Sequence, residues 1–335
     1  MPLISTIEEI QAVLPKLIST TSETSTLPNF GHTEDKYIVP IIGATLYNTL
    51  VTNYNASTLD ADEIILVNKL RRAIVPYAFL DDLGLYILML QDSGAKKISQ
   101  GGTEPVRGWE VQELKTTLIK KATEGIEHSL NYLFENKIIY PEWTSSPEYV
   151  KLKTLLLKSG TEFNDNYTLF QPQRTYFIMR GIMNDVQLLY LEESIGKELL
   201  EYLRDAPIPT ADEKVCISLL KKSLAFFTVA KACKHFSVSF SDGGFTILGE
   251  KSTNALENQM NQAADLQLLE MKIKECLMEG DSYLELSRNK LVALYEKAGV
   301  SDAFKAAFAP GPLKVYIKPA DRTSGNENRK IYSLP

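Results

Sequence analysis

The residue types that most often carry catalysis are sparse in this chain of 335 residues. Its three histidines are too far apart in the sequence to form one metal-binding motif; they are His32, His128 and His235. Its three cysteines all lie in helix-like segments; they are Cys216, Cys233 and Cys276. An odd number of cysteines without metal-ligand spacing is typical of buried, reduced thiols. We therefore expect no metal site and no cofactor.

Two pairs of adjacent carboxylates are the remaining candidates for acid–base chemistry. Asp81-Asp82 interrupts an apolar helical pattern, and Glu192-Glu193 ends another helical stretch. Neighbouring positions on a helix point in different directions, so neither pair brings its carboxylates together. The sequence also contains neither a phosphate-binding glycine loop nor a nucleophile elbow. We expect a protein that is not an enzyme. Two alternatives stay open: a site assembled from both halves around Asp81, Asp82 and Glu193, and a subunit contact at Asp81-Asp82.

Composition and charge place the chain among globular proteins. The apolar fraction is 44%, the charged fraction is 23%, and the formal net charge is −6. A net acidic chain is unlike proteins that wrap nucleic acid with a general cationic surface. The first residues are acidic where a signal peptide is basic, and no apolar run approaches the length of a membrane span. We therefore expect no membrane partner.

The elements that would position any site occur twice in the same order. LDADEIILVNKLRRAIVPYAFL starts at Leu59, and PTADEKVCISLLKKSLAFFTVA starts at Pro209. In each segment a capping box, in which an N-terminal side chain and a later glutamate bond each other's backbone, begins a long amphipathic helix. These helices are predicted at roughly residues 62–93 and 211–235.

Further matches flank the two capping boxes. An Ile-Gly pair precedes each box, a Gly-Gly pair follows the first long helix, and a Tyr-Leu pair lies on the second; they are Ile42-Gly43 and Ile195-Gly196, Gly101-Gly102 and Gly243-Gly244, Tyr132-Leu133 and Tyr283-Leu284. Upstream, a short helix led by Thr6 is matched with one led by Ser146 or Pro147. Self-similarity of this kind is typical of tandem duplication. The predicted fold is mainly α, with helical lobes at 1–140 and 141–305 and an extended C-terminal arm at 306–335.

A β-hairpin is predicted between the long helices of each lobe. FSVSFSDGGFTILGE, from Phe236 to Glu250, alternates apolar and polar residues around a glycine turn, and AKKISQGGTEPVRGWE is its more polar counterpart. Because hairpin edges carry unpaired backbone groups, we expect them to contact other subunits. The candidate residues are Gly101, Gly102, Phe240, Gly243, Gly244 and Phe245. The alternative is a hairpin that packs only on its own helices.

The C-terminal arm is the other candidate contact. After a polar, glycine-containing spacer, the chain closes with apolar residues that suit docking on another protein; they are Ile331, Tyr332 and Leu334. The alternative is a frayed terminus without a partner.

The order of capped helix, glycine-centred hairpin and second long helix resembles the head-to-tail connector (adaptor) proteins of tailed bacteriophages. FSVSFSDGG (Phe236–Gly244) and KKISQGG (Lys96–Gly102) carry this resemblance. The doubled length and the IGATL and IGKEL segments are similar to an uncharacterised connector-like family of Bacteroidetes phages and prophages.

The resemblance implies a structural virion protein, assembled in the cytoplasm of the bacterial host. Copies of the chain would form a homo-oligomeric ring between the portal protein and a tail protein or second connector. DNA would pass through this ring without specific binding, and no catalytic residue or cofactor would be involved. A non-viral helical scaffold or adaptor, acting as a monomer or dimer, is the alternative function.

Overall fold

A computed structural model describes residues 2–15, 27–83, 96–99, 102–105, 107–206, 208–236, 238–241, 244–247, 258–297 and 301–308. The chain divides into two compact units, Met1–Lys151 and Leu152–Pro335, here called lobe 1 and lobe 2. Both lobes are mainly helical, and each carries a short antiparallel hairpin.

Lobe 1 is built around a pair of long helices. Its elements in chain order are α1 (Ile7–Val13), α2 (Phe30–Thr33), a π-helix called π1 (Glu34–Ile38), α3 (Val39–Ile42), α4 (Ala44–Asn55), α5 (Ala61–Asp81), β1 (Lys96–Ser99), β2 (Gly102–Pro105), α6 (Gly108–Glu135) and α7 (Pro141–Thr144). The helix α8 (Pro147–Lys153) contains the boundary between the lobes.

Lobe 2 repeats this order. Its elements are α9 (Gly160–Asn164), α10 (Pro172–Val186), a π-helix called π2 (Gln187–Glu192), α11 (Glu193–Ile195), α12 (Lys197–Asp205), α13 (Ala211–His235), β3 (Val238–Ser241), β4 (Gly244–Ile247), α14 (Asn258–Glu296) and α15 (Asp302–Ala307). The long pair here is α13 and α14, which corresponds to α5 and α6.

Both predicted capping boxes are present. Asp60 and Thr210 each accept a hydrogen bond from the backbone N–H of the glutamate three residues on, and each glutamate accepts one in return. A helix begins with unpaired N–H groups, and this exchange satisfies them without a partner from elsewhere in the chain. The starts of α5 and α13 are therefore encoded locally.

The long helices of each lobe approach closely at a glycine of the second helix. A Cβ atom on Gly125 would lie 2.5 Å from the backbone nitrogen of Ala73. In lobe 2, Ser223 stands at the corresponding position of α13 and donates a hydrogen bond of 2.8 Å to the carbonyl oxygen of Gly280. Only a residue without a side chain permits backbones to come this close.

An aromatic stack joins the π-helix of each lobe to its first long helix. Tyr37 of π1 stacks on Tyr77 of α5 with ring centroids 4.0 Å apart and an interplanar angle of 6°. Tyr190 of π2 stacks on Phe227 of α13 at 4.8 Å and 22°. Both lobes thus make the same tertiary contact at corresponding positions.

The predicted Ile-Gly pairs occupy the same bend in each lobe. Gly43 has φ 82° and ψ 148°, and Gly196 has φ 89° and ψ 151°. A residue with a Cβ atom is strained in this backbone conformation, so glycine is required between α3 and α4 and between α11 and α12.

The counterpart of the N-terminal helix differs from the predicted one. Ser159 caps α9 as Thr6 caps α1, whereas Ser146 and Pro147 lead α8. Two ion pairs confirm this correspondence, because Arg71 of α5 pairs with Glu9 of α1 and Lys221 of α13 pairs with Glu162 of α9. Short capped helices look alike in sequence, and contacts with distant residues such as these ion pairs distinguish them.

The Tyr-Leu pairs also fail to correspond. Tyr132 donates a hydrogen bond of 3.0 Å to a carboxylate oxygen of Asp62, in the first turn of α5. Tyr283 instead lies beside Phe226, in the middle of α13, with ring centroids 5.7 Å apart. The two tyrosines therefore contact the first long helix at different levels.

The lobe boundary lies later than the predicted position 140. Trp143 is fully buried, and its ring packs edge-on against Phe134 of α6 at 5.1 Å. Tyr140 is also buried. These aromatic contacts hold α7 in lobe 1. Of the predicted arm at 306–335, the structure describes residues 306–308, which belong to the end of α15 and its cap.

Candidate interaction surfaces

The first predicted hairpin forms with a regular antiparallel register. Lys96 pairs with Pro105, and Ser99 pairs with Gly102 at the turn. Gly102 is therefore the first residue of β2. Gly101, the other glycine predicted at this turn, lies outside the described residues.

The second hairpin has the same architecture. Val238 pairs with Ile247, Phe240 with Phe245, and Ser241 with Gly244. Gly244 begins β4, and Gly243 lies outside the described residues. The structure thus contains hairpins at both positions where the sequence predicts them.

Phe245 attaches the second hairpin to the rest of lobe 2. Its backbone N–H donates to the carbonyl oxygen of Thr168 at 3.1 Å, and its carbonyl oxygen accepts from the N–H of Phe170 at 2.8 Å. Its side chain is 1% exposed. Phe245 is therefore a core residue of its own lobe, and its side chain is not presented for partner contact as predicted.

The strand-like partner of Phe245 was missed from the sequence. Residues 167–170, Tyr-Thr-Leu-Phe, are rich in the aromatic and β-branched types that favour extended pairing. Leu169 forms a parallel bridge with Phe245. Four residues inside a loop are too few to predict a strand, because whether they pair depends on a distant partner, here β4.

Asp81 and Asp82 make contacts within lobe 1. Asp81 accepts hydrogen bonds from Lys36 Nζ at 2.8 Å and from the Tyr37 hydroxyl at 2.9 Å. Asp82 accepts the backbone N–H of Asn29 at 3.3 Å. Both carboxylates hold the end of α5 to the segment around π1, which accounts for acidic residues in an otherwise apolar helix.

The predicted buried thiols are confirmed. All three cysteines are free and buried. Burial raises the pKa of Cys216 to about 11, of Cys233 to about 12 and of Cys276 to about 11. Because the thiolate is the reactive form, these side chains are poor nucleophiles at neutral pH.

The outer surfaces of the π-helices differ between the lobes. Lobe 1 exposes Asp35 and Lys36 on π1. At the same spacing along the chain, lobe 2 exposes Leu188 and Leu189 on π2. Lobe 2 thus has two exposed leucines where lobe 1 has two charged residues. This is the clearest surface difference between the lobes.

The long helix α14 carries a second apolar surface. Four exposed side chains fall within one face of this helix at helical spacing; they are Leu268, Met271, Met278 and Leu286. The opposite face of α14 packs on α13 through buried residues such as Leu284 and Leu291. Exposed apolar residues grouped in this way are typical of protein contact surfaces.

A third apolar surface lies at the end of lobe 1 where α5 begins and α6 ends. Ile64 and Ile65 are exposed on α5, and Ile138 and Ile139 are exposed in the turn after α6. The hydrogen bond between Tyr132 and Asp62 places these two segments at the same end of the lobe.

The remaining predictions concern the C-terminal residues, metal ligands and membrane spans. Ile331, Tyr332 and Leu334 lie outside the described residues. Within the described ranges, no group of three histidine, cysteine or carboxylate side chains is arranged to hold a metal ion. In that same part of the chain, no helix is long and apolar enough to cross a membrane.

The sequence matches a protein family of unknown function, DUF6712, twice, over residues 38–152 and 176–300. The chain belongs to the DUF6712 family. Each DUF6712 segment includes one Ile-Gly bend, one capping box, one hairpin and both long helices. The two matches confirm the tandem duplication. No curated protein and no solved structure matches the chain.

Proposed function

We propose that this DUF6712 protein is a structural connector of a tailed bacteriophage or prophage. Copies of the chain would form a ring between the portal protein and a tail component, and DNA would pass through the ring. The proposal rests on the resemblance of the repeated helix–hairpin–helix order to connector proteins.

One observation carries the proposal furthest: two lobes that share several internal contacts have different outer surfaces. The aromatic stacks, Ile-Gly bends and capping boxes are shared. The exposed residues of the π-helices are Asp35 and Lys36 in lobe 1 but Leu188 and Leu189 in lobe 2. A connector binds one protein above and another below, and a duplicated module with diverged surfaces suits that role.

The hairpins supply a means of joining subunits. In each hairpin the described strands pair with one another, so the outer edges of β1 and β2 carry backbone groups that a neighbouring chain can bond. β4 is partly covered by residues 168–170 of its own lobe. Strand addition at such edges is a common mode of protein association.

The net charge is consistent with a passage for DNA. Each phosphate that a protein neutralises adds salt-dependent affinity, which would slow DNA moving through a ring. A formal charge of −6 provides no general attraction for the DNA backbone.

The mass of the protein in solution, alone and mixed with a portal protein from the same phage or prophage, tests the proposal. We expect a complex that contains many copies of the chain. Replacing Leu188 and Leu189 by Asp should reduce that complex at least tenfold, whereas Asp35→Ala, at the equivalent exposed position of lobe 1, should not. A chain that stays a monomer or dimer in both samples would favour the scaffold alternative.

A further inference from the structure

A groove opens at the end of lobe 2 where α13 begins and α14 ends. Its volume is about 210 Å³. Its floor contains the buried side chains of Cys216 and Leu294, with the exposed Val215 beside them, and its rim carries Lys290 and Lys297. We call it the α13–α14 groove. It combines an apolar floor with a rim on which Lys297 is paired with Asp212 and Lys290 is a second cation.

At the equivalent end of lobe 1, two aromatic side chains lie near the start of α5. Asp62 begins α5 as Asp212 begins α13, and it accepts a hydrogen bond from Tyr132 at 3.0 Å. Tyr132 in turn packs edge-on against the buried Tyr140, with ring centroids 6.2 Å apart. In lobe 1, aromatic side chains therefore contact the start of the first long helix.

In lobe 2, the described residues that line the groove all belong to α13 and to the end of α14 through Lys297. Asp212 pairs with Lys297 Nζ at 2.5 Å, and no tyrosine lines the groove. Because its floor is apolar, the groove suits an apolar side chain.

Lobe 1 carries an exposed apolar turn that suits this groove. Ile138, in the turn after α6, is 97% exposed, and Ile139 beside it is also exposed. A backbone hydrogen bond of 3.0 Å from Ile139 to Asn136 holds this turn. Glu135 is exposed at the start of this turn, and Lys137 lies within it with its Nζ over the Phe134 ring. Ile138 and Ile139 lie at the same end of lobe 1 as the exposed Ile64 and Ile65, and grouped apolar side chains of this kind are typical of contact surfaces.

We infer that the Ile138 turn of one chain inserts into the α13–α14 groove of a second copy. Ile138 contacts the apolar floor, and Glu135 lies near Lys290 on the rim. Because the turn and the groove are different surfaces of one chain, the contact is heterologous, and repetition around a closing rotation gives a ring. The inference deepens the proposed connector function and rests on it.

Disulfide trapping between separate variants of the full chain tests this contact. Ile138→Cys and Ala293→Cys each place a thiol on an exposed position, one on the turn and one at the groove. Both variants also carry Cys216→Ala, because Cys216 lies in the floor of the groove. The other two native cysteines are buried with raised pKa values, so they contribute little background. Mixed under mild oxidation, the two variants should form a covalent dimer at least tenfold faster than either variant alone.

The matched control is Thr117→Cys, an exposed position on α6. A mixture of Thr117→Cys with Ala293→Cys should cross-link only at the background rate. Equal rates for Ile138→Cys and Thr117→Cys would overturn the inference. So would cross-linking of an Ile138→Cys/Ala293→Cys double variant within single chains only.

The charge at the rim gives a second test. Glu135→Lys should slow cross-linking of the Ile138→Cys and Ala293→Cys pair about fivefold, and Lys290→Glu on the groove partner should restore the rate. Failure of this rescue would contradict the proposed orientation.

The result is separable from the test of the connector function. Rings seen by microscopy without the Ile138 cross-link would overturn this contact and leave the connector proposal standing. A specific cross-link in a protein that forms no ring, with or without portal protein, would support the contact and contradict the connector.

Discussion

Glu34 and Gln187 occupy equivalent positions in the two lobes, and each binds the backbone of the residue 31 positions before it. Glu34 of π1 is buried, and it accepts the N–H of Leu3 at 2.9 Å. Gln187 of π2 is buried, and it accepts the N–H of Leu156 at 2.8 Å. One lobe thus uses a carboxylate where the other uses an amide. Burial raises the pKa of Glu34 above its ordinary value of 4.5.

Replacing Glu34 by Gln should change how stability depends on pH. The folded chain retains the Glu34 proton at pH values where the unfolded chain has released it, so its contribution to stability falls as pH rises above about 4.5. Glu34→Gln has no such proton. We expect the variant to gain stability relative to the wild type between pH 4 and 7, as measured by urea unfolding. Parallel pH profiles would contradict this assignment.

The reciprocal substitution in lobe 2, Gln187→Glu, should destabilise the folded protein. Gln187 Nε2 donates to the carbonyl oxygen of Thr154 at 2.9 Å, and Gln187→Glu replaces this donor by an acceptor. We expect a loss of about 1–3 kcal/mol in the free energy of unfolding at pH 7. The loss should diminish at low pH, where the carboxyl is protonated. An unchanged urea midpoint at pH 7 would show that this hydrogen bond is not required.

At the scale of elements, local signals were predictable and distant contacts were not. The capping boxes at Asp60 and Thr210 and the glycine-centred hairpins are encoded within a few residues, and the structure contains them. The counterpart of α1 and the bridge between Leu169 and Phe245 depend on residues far apart in the sequence. No periodicity within a short segment specifies such contacts.

The crossing of α5 and α6 should depend on Gly125. A Cβ atom there would clash with backbone atoms of Ala73, so Gly125→Ala must push the helices apart. We expect a loss of about 1–3 kcal/mol in the free energy of unfolding. Gly181→Ala in α10 is the control, because nothing lies within 4 Å of its Cβ position. This control should stabilise the protein by up to about 1 kcal/mol. Equal thermal midpoints for the two variants would exclude a close helix crossing.

The attachment of the second hairpin should depend on the side chain of Phe245. Phe245→Ala removes a buried ring and should cost about 3–5 kcal/mol. The control, Phe170→Ala, truncates a side chain that is 41% exposed and keeps the backbone hydrogen bond to Phe245, so a smaller loss is expected. Urea unfolding of both variants measures the difference. A Phe245→Ala loss no greater than that of Phe170→Ala would place the ring outside the core.

At the scale of the whole molecule, duplication preserved the interior and altered the exterior. The Tyr37–Tyr77 and Tyr190–Phe227 stacks keep the same positions, while Leu188 and Leu189 replace charged residues on the outer surface. The sequence predicted the duplication through its capping boxes and glycine pairs. Which apolar side chains would stay exposed depends on how each helix is rotated against its neighbours, and that required the structure.

Electron microscopy of the purified protein, alone and mixed with its portal protein, tests the connector account most directly. The account predicts ring-shaped particles with a central channel in the mixture, attached to one face of the portal. The account would be contradicted if the mixture contained only particles of single-chain size beside unchanged portal particles, even at high protein concentration.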